Sequence, residues 1–407
     1  MSTDRAFDLV LFGATGFVGE LTARYLATSM PSGGRWALAG RDRAKLEAVR
    51  ARLALSDAAL GALPLLVADV ADASSIGVVA RSARVVITTV GPYQALGEPL
   101  VAACASAGTD YVDLTGEPGF VDLMYLRHHA TAVRTGARLV HACGFDSIPT
   151  DLGVLFTVRQ LPSDGPISVD GFVRARGTFS GGTLASVLAA ASRPAAVAAA
   201  AKQRRAADPG PADRRISSGA GRFERSAAAG AWAVPLPVLD PQIVRRSAAA
   251  LPQYGPDFRY RHRAAVRHLP VVAAAAVGVG ALGLAAQVPP LRRAAQRLRR
   301  QGEGPSEQVM ERSWFTTRFV GRAGDVRVVT EVSGGDPGYG ETAKMLGESA
   351  LCLAFDGLPV TAGQVTTAVA MGDALISRLI AAGIGFEVCA GAPSGPPSRR
   401  GRVSAAG

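Results

Sequence analysis

The stretch Phe7–Gly19, with the sequence FDLVLFGATGFVG, decides the fold class of this chain. Its apolar run Phe7–Phe12 predicts a buried strand, and the stretch Glu20–Ala27 behind the glycines is compatible with a helix. A G-x-x-G-x-x-G motif between a strand and a helix lets the backbone approach a pyrophosphate closely and directs helix N–H groups at its charge. The same glycines are also compatible with a plain tight turn, so the elements that follow must supply the context.

The residues after this motif alternate between strand and helix patterns. We predict strands at residues 35–40, 63–68 and 85–90, with helices at 43–55 and 74–82. Near-continuous apolar strands that alternate with helices are typical of a parallel sheet covered on both faces. The sequence therefore predicts an α/β fold whose N-terminal part, residues 1–150, is a doubly wound Rossmann domain for a dinucleotide.

The end of the second predicted strand distinguishes NAD from NADP. An NAD-binding domain places Asp or Glu there for the ribose 2′-hydroxyl, whereas this chain has the sequence GRDR at residues 40–43. The guanidinium of Arg41 can bind a 2′-phosphate through two hydrogen bonds or stack on adenine. We therefore expect NADP(H) as the cofactor, while Asp42 in the same turn leaves NAD as the alternative.

Other charged residues near this turn have a second explanation. Arg43 and Lys45 either contribute to phosphate binding or are solvated charges of the following helix. Asp69, after the third predicted strand, is a candidate for the adenine edge, although a role near a helix cap explains it equally well.

Later strand ends converge on one rim of the predicted sheet. Residues 89–93 follow the fourth predicted strand, and strands predicted at 111–114 and 138–142 end on the same side. Ligands of doubly wound sheets bind at the carboxyl ends of the strands, so we expect nicotinamide beside Gly91 and Pro92. The rim is expected to collect Tyr93, Asp113, Glu117, Cys143, Asp146 and Ser147. Each of these side chains taken alone also fits a cap or a core position, but together they favour a site.

The formal net charge of +11 is concentrated in two places. Nine arginines and no acid lie between Phe258 and Gly302, and three more arginines follow Ala392. Without these two segments the 407-residue chain is close to neutral. A basic surface spread over the whole fold would indicate a nucleic-acid partner, and this distribution argues against one.

The four cysteines are far apart along the chain and show neither Cys-x-x-Cys nor Cys/His ligand spacing. The sequence therefore predicts no metal site and no disulfide framework, which fits a reducing compartment. No charged and then apolar leader precedes the first predicted strand, so we expect a cytoplasmic protein.

The second half of the chain contains weaker signals. Residues 168–176 alternate like an exposed sheet strand, and a glycine run at 177–183 leads into an Ala-rich helix predicted at 184–205. The glycine run either covers a substrate as a lid or is a simple turn. Further strands are predicted at 314–315 and 325–332.

Val271–Val288 is a run of 18 residues without charge that has arginines on both sides. Its length makes a membrane span a candidate, but only seven of its residues are Val or Leu and three are glycines. A peripheral contact with anionic lipid through residues 258–302 fits this composition better than a span. A buried Ala/Gly helix and the wall of a tunnel for an apolar chain are the alternatives.

Five motifs follow one another along the first half of the chain: GATGFVG, AGR, TTVGPY, YVDLTGE and CGFDSIPTDLG. In this order and spacing they resemble the saccharopine dehydrogenase-like oxidoreductases. With GYGETAKMLGESAL at Gly338–Leu351 and AMGDALISRL at Ala370–Leu379, the chain is similar to the trans-acting enoyl reductase branch of that family. The likeness covers residues 7–185 and 310–388.

The resemblance implies how the chain is divided. A Rossmann domain at residues 1–150 is followed by a second α/β domain at 151–337, which contains a basic and apolar insertion at 258–302. C-terminal helices at 338–391 return to pack on the first domain, and residues 392–407 are expected to form a disordered tail. NADPH is the implied cofactor.

The resemblance also assigns residues to the cofactor by their position in the motifs. Those implied for the pyrophosphate turn are Gly13, Thr15, Gly16, Phe17 and Gly19. Arg41 is implied for the 2′-phosphate. Enoyl reductases of this branch are associated with reducing a double bond of a polyketide or fatty acyl chain that a synthase carries, in the making of cell-envelope glycolipids.

The implied chemistry needs a proton donor. We expect hydride to reach the β-carbon of an enoyl thioester and a nearby acid to protonate the α-carbon. Tyr93 is the first candidate for this acid because it lies beside the expected nicotinamide, and Tyr111 and Cys143 are the next.

Two other functions stay open. A saccharopine-type amino-acid dehydrogenase needs arginines for amino-acid carboxylates, and no motif here reproduces that site. A non-catalytic NADPH-binding protein at the inner face of the plasma membrane would use the Rossmann domain and residues 258–302. The short-chain dehydrogenase mechanism is disfavoured, because no tyrosine is followed by lysine four residues later.

Overall fold

A computed structural model of the chain describes residues 5–177, 194–219, 221–236, 238–268 and 304–389, together with Pro270 and Gly278. Within these ranges the chain forms two β-sheets and the helices that pack on them. Several predicted segments lie outside the described residues: 178–183 of the glycine run, 184–193 of the Ala-rich helix, nearly all of 271–288, and the tail at 392–407.

Seven strands form the first sheet. They are β1 (Phe7–Phe12), β2 (Trp36–Gly40), β3 (Leu65–Val67), β4 (Ala83–Thr88), β5 (Asp110–Asp113), β6 (Arg138–Val140) and β14 (Gly363–Val365). All are parallel, in the order β14-β6-β5-β4-β1-β2-β3. The apolar run of β1 suits its central place, because Leu9 and Leu11 pack on one face while Val10 and Phe12 pack on the other. The predicted parallel sheet with two covered faces is confirmed.

Helices cover both faces of this sheet. They are α1 (Phe17–Ser29), α2 (Arg43–Ala54), α3 (Ala73–Ser82), α4 (Tyr93–Leu96), α5 (Glu98–Ala107) and α6 (Pro118–Thr135). Aspartate caps fix two of the starting points: Asp42 accepts a hydrogen bond from the backbone N–H of Lys45 at α2, and Asp72 accepts one from Ser74 at α3. A buried helix, α7 (Ile148–Val158), then leads from the first sheet to the second.

Eight strands form the second sheet. They are β7 (Ile167–Arg176), β8 (Arg215–Gly219), β9 (Glu224–Ser226), β10 (Ala231–Pro235), β11 (Asp257–Val266), β12 (Trp314–Ala323), β13 (Val326–Gly334) and β15 (Gly385–Val388). The strands lie in the order β15-β13-β12-β7-β11-β10-β9, and β8 pairs with β11. This sheet is mixed, because β7 and β11 are parallel while β12 is antiparallel to both β7 and β13.

The described residues in the middle of the chain contain three further helices: α8 (Pro194–Ala207), α9 (Asp240–Ala250) and α10 (Glu307–Arg312). The helices α7 and α9 pack on the second sheet, and α8 lies against α6 of the first. None of the helices in the described part of the chain has the length and the apolar character needed to cross a membrane.

The arginine-rich segment is not the insertion that its composition suggests. Its first residues form β11, an inner strand of the second sheet. Arg263 is only 1% exposed, and its guanidinium lies 2.8 Å from a carboxylate oxygen of Asp170 and 2.6 Å from one of Glu224. The predicted insertion at 258–302 is therefore wrong over residues 258–266, because these residues form a strand inside the second sheet and the guanidinium groups of Arg261 and Arg263 form ion pairs there. The strand at 168–176 was expected to be exposed, yet it forms most of β7 and pairs on both sides.

The C-terminal segment returns to both sheets. Its helices are α11 (Gly340–Phe355), α12 (Thr367–Ala370) and α13 (Gly372–Ala381). The helix α11 packs on α1, where the hydroxyl of Tyr25 donates to Glu348 at 2.5 Å. The guanidinium of Arg378 in α13 holds Asp356, at the end of α11, through two hydrogen bonds. The predicted return of a helical segment to the first sheet is confirmed, and β14 and β15 are additions that the sequence analysis missed.

Candidate functional site

The three glycines of the turn after β1 differ in what requires them. Gly13 has a φ of +90°, which favours glycine, and a Cβ there would lie 2.7 Å from Cγ2 of Val90. A Cβ on Gly19 would overlap the carbonyl oxygen of Gly13, so glycine at this position lets α1 pack against the turn. Among the described residues, a Cβ on Gly16 would meet only that same oxygen, at an ordinary 3.6 Å. Packing inside the protein thus explains Gly13 and Gly19, while Gly16 borders the open space where a pyrophosphate approaches such a turn.

The start of α1 completes this turn. Gly16 is the N-cap and offers no side chain, so the first N–H groups of the helix keep their capacity to bind a ligand at the positive end of the dipole. The ring of Phe17 packs edge-to-face on Tyr339, with ring centroids 5.1 Å apart. Phe17 can therefore offer the cofactor its backbone, since its ring belongs to the contact with the C-terminal segment. Thr15 is partly exposed in the turn. These residues fit a diphosphate.

The turn after β2 separates one arginine from its charged neighbours. The carboxylate of Asp42 is occupied as the cap of α2, and Lys45 lies 3.9 Å from it. Arg43 is paired with Glu47 at 3.0 Å. Arg41 is exposed and has neither a hydrogen bond nor an ion pair within the described part of the chain. Of the cations in this turn, Arg41 is thus the one left for a 2′-phosphate, and the cap role of Asp42 removes the feature that favoured NAD.

Asp69 lies in the loop before α3, where its carboxylate accepts a hydrogen bond from the backbone N–H of Ala71 at 2.9 Å. This contact places Asp69 in a local turn near the capped start of α3. Its contact with adenine stays a prediction.

Tyr93, the first candidate for the acid, is bonded to the backbone at both its donor and its acceptor side. Its hydroxyl donates to the carbonyl of Thr88 and accepts from the N–H of Leu114, each at 3.1 Å. Burial raises the pKa of its phenol, and the negative charges of nearby carboxylates add to this rise. The side chain thus connects the ends of β4 and β5, so this geometry favours a structural role.

The two other candidates are buried more deeply. Tyr111 is fully buried and donates to Asp113 at 2.9 Å, and burial raises the pKa of its phenol. Cys143 is fully buried as well, with its Sγ 3.4 Å from the carbonyl of Val140, and burial raises the pKa of its thiol. A thiol with a raised pKa is a poor nucleophile and a weak acid, so its position fits an inert core residue.

Two rim carboxylates connect the strand-end loops. Glu117 accepts hydrogen bonds from the backbone N–H groups of Tyr93 at 2.9 Å and Gln94 at 3.0 Å, beyond Gly91 and Pro92. The carboxylate of Asp113 accepts hydrogen bonds from the backbone N–H groups of Thr115 and Ala142. It also accepts one from the hydroxyl of Tyr111 and lies within hydrogen-bond distance of the ring of His141. These contacts make the rim rigid without leaving either carboxylate for a substrate.

Asp146 is the rim carboxyl that makes no hydrogen bond of its own within the part of the chain that the structure describes. It lies between β6 and α7, and a Cβ on Gly116 would be 3.5 Å from its Cγ. Among the described residues it has no hydrogen-bond donor and no cation as a partner. Burial raises its pKa to about 7, and the charge of Asp240 contributes to the rise. The side chain of Ser147 beside it is buried, and its hydroxyl has no partner in the described ranges.

Asp240, which the sequence analysis missed, stands at the first position of α9. It is buried, which raises its pKa to about 7, while the hydroxyl of Thr150 opposes the rise. Its carboxylate lies 3.9 Å from Nε2 of His262, whose Nδ1 is 2.7 Å from the hydroxyl of Tyr260. The one signal in the sequence is the acid before Pro241 that begins a helix, and it gives no hint of a nearby carboxyl.

Comparison with known proteins identifies the family. Residues 9–140 match the family described as the saccharopine dehydrogenase NADP-binding domain. A protein of Mycobacterium tuberculosis named as a trans-acting enoyl reductase is 41% identical to this chain over 422 residues, which cover 95% of this chain and 98% of the relative. The chain belongs to this saccharopine dehydrogenase family, in its trans-acting enoyl reductase branch.

Other members of the family agree with this assignment. A trans-acting enoyl reductase of Mycobacterium ulcerans is 38% identical over 421 residues, covering 94% of this chain and 98% of that relative. Among solved structures, the saccharopine dehydrogenase (L-Glu forming) of Saccharomyces cerevisiae superimposes with a TM-score of 0.54 at 13% identity, covering 94% of this chain and 99% of the other. At that identity the likeness concerns the fold.

The family assignment and the geometry of the turn agree on the cofactor. This saccharopine dehydrogenase family member is an NADP-dependent oxidoreductase, and its cofactor is NADP(H). The turn at Gly13–Gly19 fits the diphosphate, and the exposed Arg41 fits the 2′-phosphate.

Proposed function

We propose that this protein is a trans-acting enoyl reductase, which reduces a carbon–carbon double bond of an acyl chain while a polyketide or fatty acid synthase carries it. The observation that carries the proposal is the end-to-end likeness, at 41% identity over 95% of the chain, to a relative with that name. The place of the reaction in lipid or glycolipid biosynthesis is part of the same proposal.

The residues of this chain bind the cofactor and shape the rim in the proposed reaction. Gly16 and the first turn of α1 bind the diphosphate, and Arg41 binds the 2′-phosphate. Bound NADPH supplies a hydride for the β-carbon of the substrate. Gly91, Pro92 and Gly116, at the ends of β4 and β5, border the rim where the acyl chain is reduced.

The charges of the second sheet support this substrate over an amino acid. Binding of amino-acid carboxylates requires cations that are free to pair with them. The two arginines buried in the described part of this sheet already have carboxylate partners: Arg263 pairs with Asp170 at 2.8 Å, and Arg318 pairs with Glu331 at 3.0 Å. This arrangement disfavours the saccharopine-type amino-acid dehydrogenase.

A direct test follows the loss of NADPH absorbance after mixing the enzyme with an α,β-unsaturated acyl thioester of pantetheine. We expect oxidation of NADPH and a saturated acyl product. The same thioester on an acyl carrier protein should react faster, since the proposed enzyme acts on a carried chain. Turnover of saccharopine-like adducts and not of thioesters would overturn the proposal.

The non-catalytic alternative has its own readout. Tight NADPH binding without turnover of any thioester, together with co-sedimentation on vesicles of anionic lipid, would indicate a lipid-surface protein. The ion-paired arginines of β11 reduce the basic charge available to such a surface, because Arg261 and Arg263 both pair with Asp170.

A further inference from the structure

Three strand-end loops meet at the carboxyl group of Asp146. This residue follows β6, its Cγ lies beside Gly116 of the loop after β5, and its charge acts on the phenol of Tyr93 after β4. Substrates and nicotinamide bind at this edge of doubly wound sheets. Asp146 is partly exposed, so a ligand at the edge can reach it. Its place therefore meets the geometric requirement for contact with the reacting atoms.

The surroundings of Asp146 keep its proton in place. The other rim carboxylates, Asp113 and Glu117, accept hydrogen bonds from backbone N–H groups. Asp146 has no such donor and no cation among the described residues, and a second carboxyl, Asp240, lies nearby. Burial and the charge of Asp240 raise the pKa of the Asp146 carboxyl to about 7, so Asp146 keeps its proton below that pH.

We propose that Asp146 is the proton donor of the reduction, and that Asp240 is the neighbouring carboxyl that keeps Asp146 protonated. This inference rests on the proposed enoyl reductase function. The hydride from the cofactor brings two electrons and one hydrogen to the β-carbon, and the cofactor is oxidised to NADP⁺. The O–H bond of Asp146 breaks, a C–H bond forms at the α-carbon, and Asp146 is left as a carboxylate. A proton from solvent then restores the acid.

The polar groups behind the pair fit this role. Nε2 of His262 faces Asp240 at 3.9 Å, and burial lowers the pKa of this imidazole to about 3. The ring is therefore neutral at neutral pH. It adds no positive charge that would favour ionisation of Asp240 or Asp146. The hydroxyl of Tyr260 lies 2.7 Å from Nδ1 of the same imidazole.

The first test replaces the acid by its neutral isostere. Asp146→Asn should lower kcat with the enoyl thioester by about 10²–10⁴-fold, the usual contribution of general acid catalysis, and leave NADPH affinity unchanged. Asp164→Asn, at an exposed position on the loop before β7, is the matched control and should keep both values. Asp146→Glu should restore part of the turnover, because it returns a carboxyl to the same place.

The pH dependence separates a donor from a residue that only positions the substrate. The charged and titratable groups around Asp146 are Asp240 from α9, Tyr93 from α4 and, behind Asp240, the neutral His262 from β11. A donor must be protonated, so kcat of the wild type should fall as the pH rises through about 7. Asp240→Asn should move this fall to lower pH, because Asp146 loses the negative neighbour that raises its pKa.

A readout without cofactor or substrate completes the design. In infrared titration of the free protein, the wild type should show protonated carboxyl absorption that disappears as the pH rises through about 7, and Asp146→Asn should lose the part due to Asp146 while Asp240 keeps its own. Normal turnover of Asp146→Asn, or protonated carboxyl absorption of the same intensity in this variant as in the wild type, would overturn the assignment of the donor. A wild type that never reduces an enoyl thioester would instead overturn the proposed function and this role with it.

Discussion

The carboxylate of Asp42 accepts a hydrogen bond from the backbone N–H of Lys45, 3.1 Å away, at the first turn of α2. This cap uses the acid that would otherwise be placed to bind a ribose 2′-hydroxyl. Arg41, one residue earlier, is left exposed and without a partner in the described ranges. The preference for NADP(H) over NAD(H) thus follows because α2 uses Asp42 as its cap and leaves Arg41 available for the 2′-phosphate.

Replacing Arg41 should change the cofactor preference. A charge-assisted hydrogen bond contributes about 1.5–3 kcal/mol, so Arg41→Ala should weaken NADPH binding by about ten- to a hundredfold. The affinity for NADH should stay the same, because NADH has no 2′-phosphate. Fluorescence titration with both dinucleotides measures this difference. Arg43→Ala is the control, since Arg43 is paired with Glu47, and equal losses for both cofactors in Arg41→Ala would contradict the assignment.

The glycine turn predicts two opposite results for similar substitutions. Gly16→Ala should leave the free energy of unfolding nearly unchanged, since its Cβ meets only an ordinary contact at 3.6 Å, yet it should weaken NADPH binding. Gly19→Ala should lower the stability of the protein itself, because its Cβ would overlap the carbonyl oxygen of Gly13. Denaturant unfolding and cofactor titration on both variants test the pair. If Gly16→Ala bound NADPH like the wild type, the diphosphate would not lie at this turn.

Tyr93→Phe separates structure from catalysis. The variant loses the hydroxyl that bridges Thr88 and Leu114 and leaves a backbone N–H without its partner. We expect the free energy of unfolding to fall by about 1–3 kcal/mol, the cost of an unsatisfied buried group. The kcat for an enoyl thioester should stay close to that of the wild type. A drop in kcat of about 10²–10⁴-fold at unchanged stability would make Tyr93 the acid instead.

The buried arginine of β11 should be essential for stability. Arg263→Ala removes the buried guanidinium that joins Asp170 to Glu224, and Asp170 then keeps Arg261 as its main partner. Breaking a buried ion pair costs about 3–5 kcal/mol, so denaturant unfolding should shift clearly. Arg259→Ala, on the same strand but exposed, should change the free energy of unfolding by about 0.5 kcal/mol at most. Equal stability of the two variants would show that the ion pairs of Arg263 contribute little.

Local signals allowed much of the first sheet to be predicted from the sequence. The strand β1 has the bounds that its apolar run predicts, and α2 begins at Arg43, directly after its aspartate cap. The glycine turn could be predicted because its three glycines lie close together, between a strand pattern and a helix pattern. In each of these cases the residues that determine the structure are close in sequence, so a short stretch of sequence is enough to predict the element.

The second sheet was harder to predict, because the contacts that stabilise it join residues that are distant in sequence. The alternation of Phe258, Tyr260 and His262 with arginines is a strand signal, but the arginines concealed it. The ion pairs of Arg261 and Arg263 depend on Asp170, which is 91 residues away from Arg261 along the chain. The effect of Asp240 on the pKa of Asp146 has the same origin, since it depends on the packing of α9 against α7.

The last strands of the chain have a consequence for its biosynthesis. Both sheets lack one edge strand until residues 363–388 have left the ribosome, since β14 then pairs with β6 and β15 with β13. An unfinished polypeptide therefore exposes two unpaired strand edges, and such edges promote association with other nascent chains. Synthesis of residues 363–388 therefore covers the edges of β6 and β13 within one short stretch of chain.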